Sequence, residues 1–230
     1  MNETTETEAL NLAWHPLYKI GGAAAALMAV FIPIQVVVFI LWPSPTDVTG
    51  WFALFQNNKL IGLLDLDLML IVDQVFMLFI FLALYIVLRK FSQSFMVIGL
   101  ALGLVGTTTY FSSGSAFEML SLSNQYAAAT TESQRAMLLS AGHVMIANYQ
   151  GTAFNVAYVF QGVALLIIAI IMLRSTVFGK ATAYVAVVLG VMSLLPPTAG
   201  IVGMFFALGS LIPLEIWDIL IARRLFHLAK

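Results

Sequence analysis

Six of the eleven acidic residues in this 230-residue chain sit inside or beside stretches otherwise nearly free of charge: Asp65, Asp67, Asp73, Glu118, Glu215 and Asp218. A carboxyl group at bilayer depth is costly unless it is paired, protonated or wet, so such groups are default candidates for handling ions, protons or polar solutes. Depth separates them. Asp73 precedes Arg89 by 16 residues, which at about 1.5 Å per residue is about 24 Å along a helix. That places it within hydrocarbon, in the leaflet away from Arg89. Asp65 falls on a similar face at the outer interface, and Asp67 points elsewhere. Glu118 stands near the outer end of the third apolar run, after a polar stretch over residues 107–115.

The fourth run contributes Asn155 and, a little deeper, Gln161. Carboxyl, amide and hydroxyl oxygens together suit a hard cation or a protonatable relay. Asp65, Asp73, Glu118, Asn155 and Gln161 therefore form a candidate ligand- or ion-binding set in an outward-facing polar pocket. Glu215 and Asp218, three apart on one helical face, make a second, inner acid pair, for which Lys90, Arg174 and Lys180 are the expected partners.

Other chemistries find less in the sequence. There is no cysteine, hence no disulfide, thiolate metal site or cysteine nucleophile. His15 and His227 belong to one side and His143 to the other, and no metal-binding histidine spacing occurs, so no metal site is expected. Ser112, Ser113 and Ser115 with His143 as base would make a hydrolase site, but such hydroxyls are ordinary glue between membrane helices. No lysine lies inside an apolar run to form a Schiff base, nothing resembles a phosphate-cradling loop, and no cofactor is expected. A net charge of -1 speaks against a nucleic-acid partner.

The elements that must hold these groups are membrane helices. The chain is 61% hydrophobic and 9% charged, against about 25% charge in soluble domains. Six runs approach the roughly 20 residues that a bilayer requires: 20–42, 68–88, 95–117, 152–173, 181–195 and 199–222. The fifth is the shortest and stops at Pro196-Pro197. Of the ten cations, eight fall on one side of these runs and only Lys59 and Arg135 on the other. That asymmetry orients the chain with both termini in the cytoplasm. The expected architecture is an all-α membrane protein of six transmembrane helices, with residues 1–17 a cytoplasmic N-terminal segment, 18–226 the bundle and 227–230 a cytoplasmic tail. Glu3, Glu6 and Glu8 give the N-terminus no basic region, so it does not read as a cleaved signal peptide.

Two outer segments have their own character. Residues 47–57 carry Trp51, Phe52, Leu54 and Phe55, suited to a short helix in the headgroup layer. Residues 132–148 place Met137, Leu138, Ala141, Val144 and Met145 at helical spacing behind a Thr131–Gln134 capping box, an amphipathic outer helix between spans three and four. Close helix approach is expected at Gly21, Ala25 and Ala29, at Gly99 and Gly103, and at Gly203 and Ala207. Pro213 should disturb the last span by freeing the carbonyl of Gly209.

The order of short motifs resembles a known family. Tyr18-Lys19-Ile20-Gly21-Gly22 opens the first span, and Leu63-Leu64-Asp65-Leu66-Asp67-Leu68 precedes Phe81-Leu82-Ala83-Leu84-Tyr85. Gln150-Gly151-Thr152-Ala153-Phe154-Asn155 opens the fourth span, and Ala181-Thr182-Ala183-Tyr184 the fifth. Trp217-Asp218-Ile219-Leu220-Ile221-Ala222-Arg223-Arg224-Leu225-Phe226 closes the chain. This is similar to a DUF4386-like domain-of-unknown-function family of small polytopic membrane proteins from bacteria and archaea. The resemblance implies a six-helix protein of a prokaryotic plasma membrane and brings no activity or site residue with it.

The functional expectation is thus a small carrier or channel-like protein binding a cation or small polar solute, more readily a non-enzyme than an enzyme. The alternatives are a non-catalytic subunit or scaffold and an intramembrane hydrolase. Membrane lipids, further copies of the chain or other membrane subunits are the expected partners.

Overall fold

The computed structural model describes residues 13–230, and every regular element among them is a helix. The acidic run Glu3, Glu6 and Glu8 lies outside the described residues. The helices are α1 (His15–Leu41), α2 (Val48–Asn57), α3 (Lys59–Leu63), α4 (Met69–Leu88), α5 (Gln93–Ser113), α6 (Ala116–Ala128), α7 (Glu132–Tyr149), α8 (Thr152–Arg174), α9 (Lys180–Ser193), α10 (Gly200–Gly209) and α11 (Leu211–Leu228). A π-helical turn, Leu64–Leu68, joins α3 to α4 into one rod. Five helical stretches are long and apolar enough to cross a membrane, and Lys180–Ser193 is a shorter apolar helix.

Six helices close a ring. α1 packs on α4, α4 on α5, α5 on α8, α8 on α9, α9 on α11, and α11 returns to α1. The seams depend on small residues. Gly21 faces Ala83 and Leu225, and Gly22 faces Phe226, so α1 lies close to both neighbours. A Cβ on Gly103 would come within 2.8 Å of the Phe81 ring. The seam of α8 with α9 brings backbone against backbone, where a Cβ on Gly162 would meet the Gly190 carbonyl oxygen at 2.9 Å. Such contacts matter because in lipid there is no hydrophobic effect to press one helix on another. Gly203, by contrast, packs against its own preceding turn at Pro196 rather than against another helix.

The two ends of the ring differ. Arg89 stacks over Trp14, with its guanidinium carbon 5.1 Å from the ring centroid. The ends of α4, α8 and α11 and the starts of α1, α5 and α9 gather at this basic end. At the far end, α2, α3, α6 and α7 form a helical cap with its own core of Val48, Trp51, Phe52, Phe55, Leu66, Ala116 and Met119. Residues 47–57, expected in the headgroup layer, therefore spend their aromatic face on the cap: Phe52 is 2% and Phe55 0% exposed. In α7 the capping box forms as expected. Its buried face, however, is Leu138 and Gly142, while Met137 and Val144 are exposed.

Three breaks shape the interior. The third run ends at Ser113 rather than extending to residue 117, because Gly114 and Ser115 turn the chain into α6. After Pro196-Pro197 the chain restarts at Gly200, whose φ of 72° is the left-handed conformation that glycine adopts freely. The last run is split at Ser210 into α10 and α11. Pro213 explains the split: it has no N–H for the Gly209 carbonyl, and its ring crowds that position. The Ser210 hydroxyl donates to the Ala207 carbonyl at 2.7 Å across the break.

Candidate functional site

The ring encloses a cavity of about 860 Å³ in its far half, lined by α1, α4, α5, α8, α9, α10 and α11. Its size suits a drug-sized organic molecule, for which pockets of about 300–1,000 Å³ are usual. Most of the wall is apolar. The α1, α4 and α8 side of it carries Gln35, Asp73, Gln74, Tyr158 and Gln161, and the side of α9 to α11 the hydroxyls of Ser193, Thr198 and Ser210.

Asp73 is reached by building up from α4. This helix is almost wholly apolar, and Met69, Asp73, Met77 and Ile80 are all buried. Positions three and four apart share a helix face, so Asp73 is carried to the inside by the packing of its neighbours. There it meets Gln35 from α1, whose Nε2 donates to Asp73 Oδ2 at 2.6 Å and to the Met69 carbonyl at 3.1 Å. Both amide protons are thereby used, which fixes the orientation of the group. The second carboxyl oxygen, Oδ1, is buried and has no partner. A buried acceptor left without a donor costs about 1–3 kcal/mol, so this atom is where a ligand's donor gains most.

Beside this pair, Gln161 of α8 donates to Gln74 Oε1 at 2.6 Å, closing the α4–α8 side of the cavity. Above it stands an aromatic wall: the Phe154 ring lies 5.6 Å from Tyr110, 5.8 Å from Tyr149 and 5.0 Å from Tyr158. Ring faces carry negative quadrupole potential and attract cations. Below, Met28, Met77 and Leu214 close the floor.

The set read from the sequence is divided by the structure. Asp73 and Gln161 line the cavity together. Asn155 stands at its rim, donating to the Gly151 carbonyl at 2.7 Å and accepting from the hydroxyl of Thr198, itself on the lining. Asp65 is elsewhere, buried in the π turn and accepting from the Ser44 hydroxyl at 3.0 Å. Glu118 is exposed in the first turn of α6, where a negative charge is favourable against the helix dipole.

Asp67 points elsewhere, as expected: Asp65 and Asp67 are both buried, 4% and 3% exposed, but against different partners. Asp67 Oδ2 accepts from the backbone N–H groups of Ser115 and, at 2.6 Å, Ala116. It caps α6 from another element, supplying the acceptor that the first turn lacks.

The inner pair separates too. Asp218 is completely buried, and neither carboxyl oxygen has a partner; Glu215 is half-buried. The expected ion pairs with Lys90, Arg174 or Lys180 do not form, the one ion pair among the described residues being Arg135–Glu132. Asp218 lies one turn beyond Leu214 on the cavity floor and within Coulombic range of Asp73.

The serines of the hydrolase alternative lie at the end of α5 and the start of α6. The hydroxyls of Ser112 and Ser113 donate back to the carbonyls of Thr109 and Tyr110 at 2.8 and 2.7 Å. Among the described residues no cluster of three metal-ligating side chains occurs.

Sequence reasoning passed over Gln35, Gln74 and the three tyrosines. Gln35 had a signal, being the lone amide in a long apolar run just after Pro33. The tyrosines had none, since aromatic residues at helical spacing are ordinary core. Compared with known proteins, the chain matches no family model, no curated protein and no solved structure.

Proposed function

We propose that this chain is a multi-pass membrane protein that binds a cation or small polar solute in the ring cavity, as a small carrier or channel-like protein does. The observation that carries this reading is the Gln35–Asp73 pair: a carboxyl group on the lining of a cavity of about 860 Å³, held by one amide, with its second oxygen buried and without a partner. Asp73 is the ion-binding group, Gln35 positions it, and Gln74 with Gln161 braces the adjoining α4–α8 wall. Asp65, Glu118 and Asn155 serve the cap and the rim.

The proposal includes six spans with both termini in the cytoplasm of a prokaryotic cell, and the family that the sequence resembles. Its support is the gathering of Lys19, Arg89, Lys90, Arg174, Lys180, Arg223, Arg224 and Lys230 around the basic end, while Lys59 and Arg135 belong to the cap. Positive residues are retained on the cytoplasmic side. The sixth span is Lys180–Ser193, which at 14 residues is about 21 Å long. It leans on α8 and α11 for the rest of its depth.

The test uses purified protein in lipid nanodiscs with methylammonium, tetramethylammonium and 1-adamantylammonium as probes. At least one of them should raise the thermal unfolding midpoint of the wild type and leave that of D73N unchanged. Asparagine keeps the shape and an oxygen for Gln35 while removing the charge. No response to any probe, or an equal response in D73N, would reject the reading.

A further inference from the structure

We infer that the cavity is entered sideways from the membrane and takes an amphiphile, an ammonium group attached to a bulky apolar body. This rests on the reading of Asp73 as the ion-binding group and adds the route and the chemical class.

The route follows from α10. This helix packs lightly on α9 and on the start of α11, and on no other helix to any extent. Its only buried residue is Gly203. The contact between α11 and α1 that closes the ring lies near the basic end, around Gly21, Gly22, Leu225 and Phe226. Beyond the break at Ser210 the chain leaves that seam, so the far half of the ring has no wall between α1 and α10. Ile201, Met204 and Leu208 show the consequence: they line the cavity and yet are 88%, 48% and 61% exposed. An opening edged by such side chains at this depth faces acyl chains. From the direction of water the cap and the rim contact between Asn155 and Thr198 stand in the way.

The class of ligand follows from the lining. A bare inorganic cation demands a shell of oxygens, whereas most of this wall is methyl, methylene and ring. One carboxyl group with an unpartnered oxygen, on a lining that also carries Tyr110, Phe154 and Tyr158, suits a single ammonium head. The ammonium supplies both the hydrogen-bond donor and the opposite charge, and desolvating a charge is tolerable when it is paired and hydrogen-bonded. The remaining volume is filled by the apolar body.

Three probes of related shape separate the two readings in the nanodisc assay. 1-Adamantylammonium should bind at least about tenfold more tightly than methylammonium, since about 1.4 kcal/mol of extra apolar burial suffices for a factor of ten. 1-Adamantanol, which has the body without the charge, should bind no better to the wild type than to D73N. If methylammonium binds as well as the adamantyl compound, the amphiphile is rejected while the cation site survives; if neither binds, both readings fail.

The route is tested separately. With no native cysteine, V36C/M204C can be bridged across the gap by a flexible bifunctional methanethiosulfonate. Bridging should slow association of 1-adamantylammonium at least tenfold relative to the same double variant before bridging, with recovery on reduction, and each single variant treated alike should show no such reversible slowing. An unchanged association rate in the bridged protein would overturn the sideways entry.

Discussion

Gln35 of α1 holds Asp73 of α4 by a 2.6 Å hydrogen bond and, with its other proton, the Met69 carbonyl one turn away at 3.1 Å. One side chain therefore ties two helices together and sets the direction in which the free carboxyl oxygen points. Replacing Gln35 with Leu keeps the bulk and removes both donors. The cost expected is about 1–3 kcal/mol for the Asp73 oxygen left buried and unpaired, the Met69 carbonyl keeping its own helix donor, read as a lower thermal midpoint in nanodiscs. D73N should stay near the wild-type midpoint, because its amide oxygen still accepts from Gln35. If Q35L melts like the wild type, the bond does not hold the two helices.

The Gly162–Gly190 seam makes a second prediction. A Cβ at Gly190 would lie 3.0 Å from the Gly162 carbonyl oxygen, and one at Gly162 would lie 2.9 Å from that of Gly190. Backbone on both sides leaves no side chain to swing aside. G162A and G190A should each destabilise by about 1–3 kcal/mol, the usual cost of overpacking. Gly179 has nothing within 4 Å of a new Cβ, so G179A is the matched control and should melt like the wild type.

Asp67 predicts a defect in the cap rather than in the ring. D67A removes the acceptor of the Ser115 and Ala116 N–H groups. Amide exchange at those two positions should accelerate by one to two orders of magnitude, as about 1–3 kcal/mol of protection is withdrawn. Exchange in α8 and α9 should be unchanged. Equal acceleration throughout would mean that the cap does not move independently.

Asp47 gives a pH dependence in the cap. The Thr49 hydroxyl first, and then the Gly50 N–H, hold its carboxyl below the usual range. A group whose native pKa is depressed stabilises above its unfolded value and loses that contribution as pH falls through the native one. The start of α2 should accordingly be ordered at neutral pH and fray only below the ordinary aspartate range. Nuclear magnetic resonance of the Gly50 amide should show that transition in the wild type and a pH-independent frayed start in D47A. A wild-type midpoint at or above the ordinary value would contradict it.

Orientation is tested with single cysteines, since the chain has none of its own. Ser175 is buried and donates to the Met172 carbonyl, which makes its neighbour Thr176, exposed at the basic end, the better probe. In intact cells an impermeant thiol reagent should label Q134C and leave T176C untouched. The reverse pattern would invert the topology.

Composition made an all-helical chain, with helices long and apolar enough to cross a membrane, legible. Asp73 stood out for the same reason, as a lone carboxyl group in an apolar helix, and it lies on the cavity lining. What escaped was everything that depends on a local departure from the regular helix. The role of Asp67 escaped because the third run was read through to residue 117, which hides the helix start at Ala116 that it caps. Asp218 was given a cation because cations were expected at the same inner interface, whereas it is fully buried and unpaired. The aromatic run of α2 was given to lipid because its partner face, on α6 and α7, is distant in sequence. Gln35 was overlooked although a lone amide in a greasy helix raises the same accounting question as a lone carboxyl.

The order of packing around the ring has a consequence for biogenesis. Each of its helices settles against the one synthesised just before it, so five of the six seams mature as the ribosome proceeds. The sixth cannot, because α1 must wait for α11, and until then its flank of Gly21 and Gly22 stands bare in the bilayer. A nascent chain halted before residue 211 is an unclosed horseshoe, its α1 edge still waiting for the helix that covers it.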